Sequence, residues 1–245
     1  MLVKFLGSGD AFGSGGRFNT CFLVKSHASA FLIDCGSSSM IAMRHFGVDP
    51  NQIDTIVISH LHADHFGGLP YFILDAQLVS RRTRPLAIAG PPGLKSRLTD
   101  LMEACFPGSA KVDRKFSIEI IELQIPGPTE LSKLVIFTAP VVHPSGETPS
   151  LALRIEVEDK IIAYTGDTEW VEDLVEIGRA ADLLIAEAYY FDKKVRYHLD
   201  LATLRQQLPR IRPRRWIVTH MSTDMLSRAG ALDCECATDG LEVAI

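Results

Sequence analysis

Cysteine, long apolar runs and low-complexity segments are the features that this sequence has little of. Its five cysteines are odd in number and form no Cys-x-x-Cys pair, which favours free thiols in a reducing cytoplasm over a disulfide framework. No stretch approaches the ~20 apolar residues of a membrane-spanning helix, so we expect no membrane association. No internal repeat or linker divides the chain, and we predict a single domain over residues 1–245.

The sequence also has only a small excess of one charge over the other. Its net charge is −5, and 22% of its residues are charged. This mild acidity weakens the electrostatic case for an RNA partner. Two basic clusters exist, 81–84 and 210–215, and we interpret them as solvated helix ends. Cys234 and Cys236 lack the second pair that would complete a soft-metal site, and we interpret them as residues of a C-terminal strand.

The most informative segment runs from Ser59 to Gly68, directly after the apolar run 53–58. It contains His-x-His-x-Asp-His, so four metal-ligand side chains fall within six residues. Imidazole suits zinc and iron, and a carboxylate adds charge and can hold a second ion. The spacing of two between His60 and His62 places both rings on one side of an extended segment. The pattern predicts a site for one or two divalent metals.

Hydrophobic periodicity and turn residues indicate a mixed α/β chain in which strands and helices occur in two similar halves. The strands are predicted at 2–6, 20–25, 30–34, 53–58, 86–89, 118–123, 134–140, 151–157, 160–164, 182–186 and 216–219. The helices are predicted at about 37–46, 67–80, 93–105, 168–178, with Thr168 as the N-cap, and 199–208. Two helix-covered sheets packed face to face would bury both sets of strands.

The histidine-rich segment resembles the hallmark of the metallo-β-lactamase superfamily, and three further residues occur in the order that this family has. His143, Asp167 and His220 each follow a predicted strand. The resemblance spans nearly the whole chain and implies a four-layer αβ/βα sandwich with metals at one edge between the sheets.

The resemblance also implies a ligand set and two divalent ions. It assigns His60, His62 and His143 to one ion, and Asp64, His65 and His220 to the other, with Asp167 bridging. Two such ions would lower the pKa of a shared water and supply a bridging hydroxide at neutral pH. Zinc is the default metal, while manganese and iron are compatible with the carboxylates.

Three residues are predicted to take part in catalysis beyond metal binding. Asp64 is expected to orient the attacking water as well as to bind metal. His198 resembles the histidine that opens a helix in ribonuclease Z-like members, and it is the candidate for protonating the leaving group. Leu199 follows it where those members have Ser or Thr. Glu187 resembles the Glu-Ala-Thr segment of the same branch and is expected to orient His198 or a metal ligand.

Other segments also resemble the ribonuclease Z-like branch, namely 17–20, 67–70 and 219–222. One departure is large. The tRNA-processing members insert a long flexible arm between the third histidine and the bridging aspartate. Here 23 residues, 144–166, separate His143 from Asp167, and two predicted strands and a turn fill them.

These observations predict a dinuclear metal-dependent hydrolase, with a small or nucleotide-derived phosphodiester as the favoured substrate. The alternatives are a lactone, thioester or β-lactam hydrolase, in which Tyr189 or Tyr190 would stabilise the oxyanion, and a tRNA 3′-endonuclease working without the arm. An interpretation from another class is a non-catalytic binding protein, although no ligand of the seven is missing. The resemblance also suggests a homodimer, for which the 71–77 helix offers apolar residues, although packing in the core explains these residues equally well.

Overall fold

The computed structural model describes all 245 residues, and two seven-stranded sheets lie at its centre. The first half of the chain supplies β1 (Leu2–Gly7), β2 (Cys21–Lys25), β3 (Ala30–Ile33), α1 (Ser39–His45), β4 (Thr55–Val57), α2 (Ala63–Phe66), α3 (Leu69–Leu78), β5 (Leu86–Gly90), α4 (Leu94–Cys105) and β6 (Ile118–Glu122). The second half supplies β7 (Gly127–Leu131), β8 (Leu134–Ser145), β9 (Thr148–Val157), β10 (Lys160–Tyr164), α5 (Asp173–Gly178), β11 (Leu183–Glu187), α6 (Leu201–Ile211), β12 (Trp216–Thr219), α7 (Thr223–Arg228), β13 (Glu235–Cys236) and β14 (Glu242–Ala244).

The strand order is β14-β1-β2-β3-β4-β5-β6 in one sheet and β13-β12-β11-β10-β9-β8-β7 in the other. Strand β14 comes from the second half of the chain, but it joins the sheet of the first half and pairs antiparallel with β1. Strands β3 to β6 are mutually parallel, and so are β10 to β13. Because parallel strands end at one edge of a sheet, the loops that follow them converge there.

Three hydrophobic cores separate four layers. Alternation along β2 sends Phe22 and Val24 into the core between the two sheets, while Cys21 and Leu23 face the helices of the first half. A third core joins the second sheet to α5, α6 and α7. The predicted four-layer αβ/βα sandwich is confirmed.

The predicted helix at 168–178 is wrong in its first turn, because α5 begins only at Asp173. Thr168 does not act as its N-cap. The Thr168 backbone N–H donates to Glu187 Oε1, and its Oγ1 accepts from the N–H of Val142 at 3.1 Å. These bonds hold the segment as a loop after Asp167. The sequence also gave no prediction for β7 or α7, or for the pairing of β14 with β1.

None of the helices combines the length and the apolar run that crossing a bilayer requires. All five cysteines are free thiols, and Cys21 and Cys35 are buried.

Candidate metal centre

The histidine-rich segment leaves the end of β4 and turns into the single-turn helix α2. The His60 and His62 rings lie on the same side of the extended part, with centroids 4.9 Å apart. Asp64 and His65 lie within α2, and both are buried. The sequence therefore folds as the spacing predicts, with one pair of side chains before the helix and one pair on it.

A strand of the second sheet completes the first cluster. His143 lies near the end of the long β8, and its Nε2 is 3.0 Å from His62 Nδ1. Its other ring nitrogen, Nδ1, is 2.9 Å from the carbonyl oxygen of Tyr197, which fixes the ring orientation. One nitrogen from each of His60, His62 and His143 lies within 4.8 Å of the other two. Three convergent imidazoles at this spacing suit a divalent transition metal.

The second cluster gathers Asp64, His65, Asp167 and His220. His220 Nε2 is 3.3 Å from Asp64 Oδ2 and 3.2 Å from Asp167 Oδ2. Asp167 Oδ2 is also 3.4 Å from His65 Nε2 and 3.9 Å from His143 Nε2. The carboxylate of Asp167 therefore faces both clusters, as a bridging ligand would.

Buried polar atoms without partners test whether these residues fit metal ions. Among the few such atoms in the chain are His60 Nε2 and His65 Nε2, which face Asp167 Oδ2 at 4.0 and 3.4 Å. A buried polar group without a hydrogen bond costs free energy, and a cation bound at the site removes that cost. The residues fit metal ions, and the His/Asp clusters form a candidate metal site.

Electrostatics of the site also match ligand chemistry. Burial, reinforced by the nearby His65, lowers the pKa of His60 well below its usual value, which keeps this ring neutral. Burial opposes ionisation of Asp64 and Asp167, but the surrounding histidines outweigh it and lower the pKa of both carboxyls. Burial likewise opposes protonation of His220, yet Asp167 and Asp64 raise its pKa to about 9. The negative charge that raises the pKa of His220 also favours a divalent cation at the same place, and His220 would lose its proton when it binds the metal.

Asp34 is a supporting residue that the sequence analysis missed. It follows β3, is fully buried, and its Oδ2 lies 2.7 Å from His65 Nδ1. Its carboxylate also accepts from the backbone N–H and the hydroxyl of Ser59, at 2.7 and 2.8 Å. A carboxylate behind a ligating histidine fixes the ring and increases its basicity. In the sequence, Asp34 resembles any acidic residue at a strand end.

Both Asp34 and His220 have left-handed backbone conformations, with φ of 58° and 55°. Non-glycine residues at positive φ are uncommon and cluster at functional sites. The backbone of His220 is held in place because its N–H donates to the Ser8 carbonyl at 3.2 Å. The Ser8 N–H and hydroxyl are in turn bound by Asp239 Oδ1, at 2.9 and 2.8 Å.

A third group lies against the second cluster and contains the two remaining predicted catalytic residues. His198 Nδ1 is 2.9 Å from Glu187 Oε2, and Glu187 is fully buried at the end of β11. The His198 ring stacks on Tyr189 at 4.6 Å and lies 5.0 Å from the His143 ring. His198 therefore lies at the edge of the histidine cluster, with Nε2 free.

Removing the metal is expected to lower the melting temperature. An ion present at 100 times its dissociation constant stabilises the folded state by about 2.7 kcal/mol. For a domain of this size, that corresponds to a fall of about 5–10 °C on chelation. Differential scanning fluorimetry before and after dialysis against a chelator measures the change. The melting temperature of Asp167→Asn should be much less sensitive to the chelator, and an equal fall in both proteins would contradict the assignment.

Comparisons with known proteins agree with this geometry. A family model described as anti-Pycsar protein Apyc1 matches residues 1–235. Ribonuclease Z of Agathobacter rectalis is 28% identical over 236 residues, covering 78% of this chain and 76% of the relative. The crystal structure of the short form of human tRNase Z has a TM-score of 0.81 at 24% identity, covering 100% of this chain and 99% of that one. A diphosphatase from the PhnP family has a TM-score of 0.78 at 21% identity, covering 100% and 97%.

The solved structures show the fold, and the family model covers nearly the whole chain. The protein is a metal-dependent hydrolase of the metallo-β-lactamase superfamily, in its ribonuclease Z-like branch, and it belongs to the anti-Pycsar protein Apyc1 family.

Proposed function

We propose that this chain hydrolyses a phosphodiester, of small or nucleotide-derived size, at a site that holds two divalent metal ions. The seven side chains His60, His62, Asp64, His65, His143, Asp167 and His220 would be the ligands, with zinc as the default metal. When bound, such ions polarise phosphoryl oxygens and lower the pKa of a water molecule. The observation that carries the proposal is the Glu187–His198 pair beside this ligand cluster.

Together, Glu187 and His198 supply the proton that the leaving oxygen of a phosphodiester needs. Burial disfavours protonation of His198, but the hydrogen bond and charge of Glu187 outweigh it and raise the pKa of the ring. The protonated ring then holds one proton on Nδ1 against Glu187 and offers the other from Nε2. His198 donates that proton to the leaving alkoxide as the P–O bond breaks. Glu187 is a positioning residue that acts through His198, while Asp64 orients the attacking water in addition to its proposed role as ligand.

The Glu187→Gln variant is expected to shift the pH profile. Because Glu187 raises the pKa of His198, removing its charge lets the ring lose its proton at a lower pH. The alkaline limb of the kcat/KM profile should therefore move towards lower pH. At pH values below that limb, kcat/KM should change less. A pH–rate profile of both proteins measures this, and an alkaline limb that stays in place would contradict the positioning role.

The short chain segment between His143 and Asp167 favours a small substrate over tRNA. Strand β8 turns directly into β9, and β9 into β10, so two hairpin turns occupy the place where the tRNA-processing members insert their arm. The arginines of the two basic clusters, except Arg81, donate to groups of this chain. Arg82 is buried and donates to the carbonyls of Arg84 and Pro85, at 2.8 and 2.7 Å.

Two arginines of the second basic cluster pair with carboxylates. Arg214 is 2.7 Å from Asp182 Oδ1, and Arg215 Nε is 2.8 Å from Glu235 Oε1. Arginines paired with carboxylates have less charge to offer to a phosphate backbone. This supports a small phosphodiester, and a tRNA 3′-endonuclease activity stays an alternative.

The test is a substrate panel with metal-loaded protein. We expect turnover of bis(p-nitrophenyl) phosphate and of 2′,3′-cyclic nucleotides, with loss of both in Asp167→Asn as the check against a contaminating enzyme. A lactone, a thioester and a chromogenic β-lactam form the acyl arm of the panel. Acyl turnover without phosphodiester turnover would overturn the proposal in favour of an acyl hydrolase. No turnover with metal bound would favour a binding protein.

A homodimer is the proposed assembly. Exposed apolar side chains gather on α1 and α3 around a groove of about 380 Å³, and they include Ile41, Tyr71 and Leu78, which are 64%, 46% and 66% exposed. Apolar patches of this kind commonly mark protein interfaces. Light scattering of the full chain in solution measures its oligomeric state.

A further inference from the structure

A cleft of about 760 Å³ adjoins the metal centre on the side of His62. One wall is the start of α4, with Pro92, Ser96 and Arg97, and the other is the turn between β8 and β9, with Glu147 and Thr148. Pockets for small molecules commonly measure about 300–1,000 Å³, so this cleft has room for a nucleotide-sized group. A second cavity that adjoins the site, beside His198, measures about 180 Å³ and is too small for one.

The two walls are held in fixed positions. Ser145 Oγ donates to the Thr148 carbonyl at 2.9 Å, and Thr148 Oγ1 donates to the Ser145 carbonyl at 2.8 Å. The walls meet at Gly93, where an added Cβ would lie 2.8 Å from Thr148 Cγ2. The turn belongs to the same strand as His143, so a group bound in the cleft is fixed relative to that ligand.

Arg97 is the side chain best suited to recognise an occupant. It is exposed and is the only positively charged residue that lines the cleft. Ser96 already donates its hydroxyl proton to the Gly93 carbonyl at 3.1 Å. Glu147 accepts hydrogen bonds but repels anions. A guanidinium offers five donors in a planar fork that matches paired oxygen acceptors.

We propose that this cleft binds the non-reacting part of the substrate, and that Arg97 binds an oxygen-acceptor group of that part. The acceptor is either a further phosphate or an oxygen of the base or sugar. The assignment rests on the proposed phosphodiester hydrolysis. Arg97 then determines specificity without touching the reacting phosphorus.

The test compares three p-nitrophenyl substrates that share a leaving group. Bis(p-nitrophenyl) phosphate has no nucleoside, thymidine 5′-(p-nitrophenyl phosphate) has one, and its 3′-phosphorylated form adds a further phosphate. In Arg97→Ala, KM should rise about tenfold or more for a nucleoside substrate, because hydrogen bonds to charged groups are strong. kcat and the kinetics of bis(p-nitrophenyl) phosphate should stay within about twofold. Lys95→Ala, which removes an exposed cation of the same helix outside the cleft, is the matched control.

The outcomes separate the two sources of the acceptor. A rise confined to the 3′-phosphorylated substrate identifies a further phosphate, and a rise for both nucleoside substrates identifies the base or sugar. Unchanged KM for all three substrates, an equal rise for all three, or an equal effect of Lys95→Ala would overturn the proposal. Calorimetric titration with thymidine 3′,5′-diphosphate is a readout that needs no turnover. Absent turnover of bis(p-nitrophenyl) phosphate in the wild type would overturn the proposed function, while the titration still decides the role of Arg97.

Discussion

Replacing His198 with alanine should slow hydrolysis of a 2′,3′-cyclic nucleotide far more than hydrolysis of bis(p-nitrophenyl) phosphate. The cyclic nucleotide releases an alkoxide, which is strongly basic and needs a proton as the P–O bond breaks. General acid catalysis typically contributes about 10²–10⁴-fold, so we expect kcat to fall within that range. p-Nitrophenolate is a weak base and leaves without a proton, so its release should slow much less. Steady-state kinetics of both substrates measure the difference.

An exposed histidine away from the site provides the control for this experiment. His27 lies in the turn between β2 and β3, and His27→Ala should leave both rates unchanged. The metal content of all three proteins must be measured and be equal. The His198 ring lies 5.0 Å from that of His143, a proposed metal ligand, so its removal must not be confused with a loss of metal. Equal slowing of both substrates by His198→Ala would contradict the role of proton donor and indicate a general effect on the site.

Asp34→Ala should weaken both the fold and the metal site. The change leaves Ser59 and His65 with buried polar atoms that lack their partner. Breaking one side of a buried charged pair costs about 3–5 kcal/mol, and loss of the carboxylate behind a ligating histidine lowers metal affinity about 10–100-fold. Chemical denaturation measures the first effect, and competition with a metallochromic indicator measures the second.

Asp34→Asn separates the charge from the packing. Asparagine tolerates the left-handed backbone of this position and can still accept a hydrogen bond from Ser59. We therefore expect it to recover much of the stability while metal affinity stays low. If Asp34→Asn bound metal as tightly as the wild type, the charge of Asp34 would have no part in holding His65.

The elements that the sequence predicted well are those with strong local signals. The strands that precede the site are buried runs of β-branched residues, and the residues that follow them carry the ligands. Strands β10, β11 and β12 are parallel neighbours in one sheet, so Asp167 and His220 follow strands that end at the same edge. His60 follows a strand of the other sheet, and its convergence with them was expected from the family resemblance. The convergence of His143 needed the resemblance, because β8 runs antiparallel to its neighbours.

The features that the sequence did not reveal depend on distant partners. Strand β14 has three residues and pairs with β1 across almost the whole chain, and so short a segment has no usable periodicity. The loop at Thr168 contains a favourable N-cap residue, but its hydrogen bonds go to Glu187 and Val142. The pairing of Asp34 with His65 joins residues 31 positions apart and leaves no local pattern.

The pairing of β1 with β14 places Met1 beside Ile245, since Leu2 faces Ala244 and the Met1 amino group lies 3.2 Å from the Ile245 carbonyl. A short linker between these two residues can therefore close residues 1–245 into a ring, and new ends can be opened at the exposed Glu158–Asp159 turn between β9 and β10. Such a circular permutant would carry Asp167 and His220 ahead of the histidine-rich segment. The metal centre is thus compatible with a reversed order of the two halves along the chain.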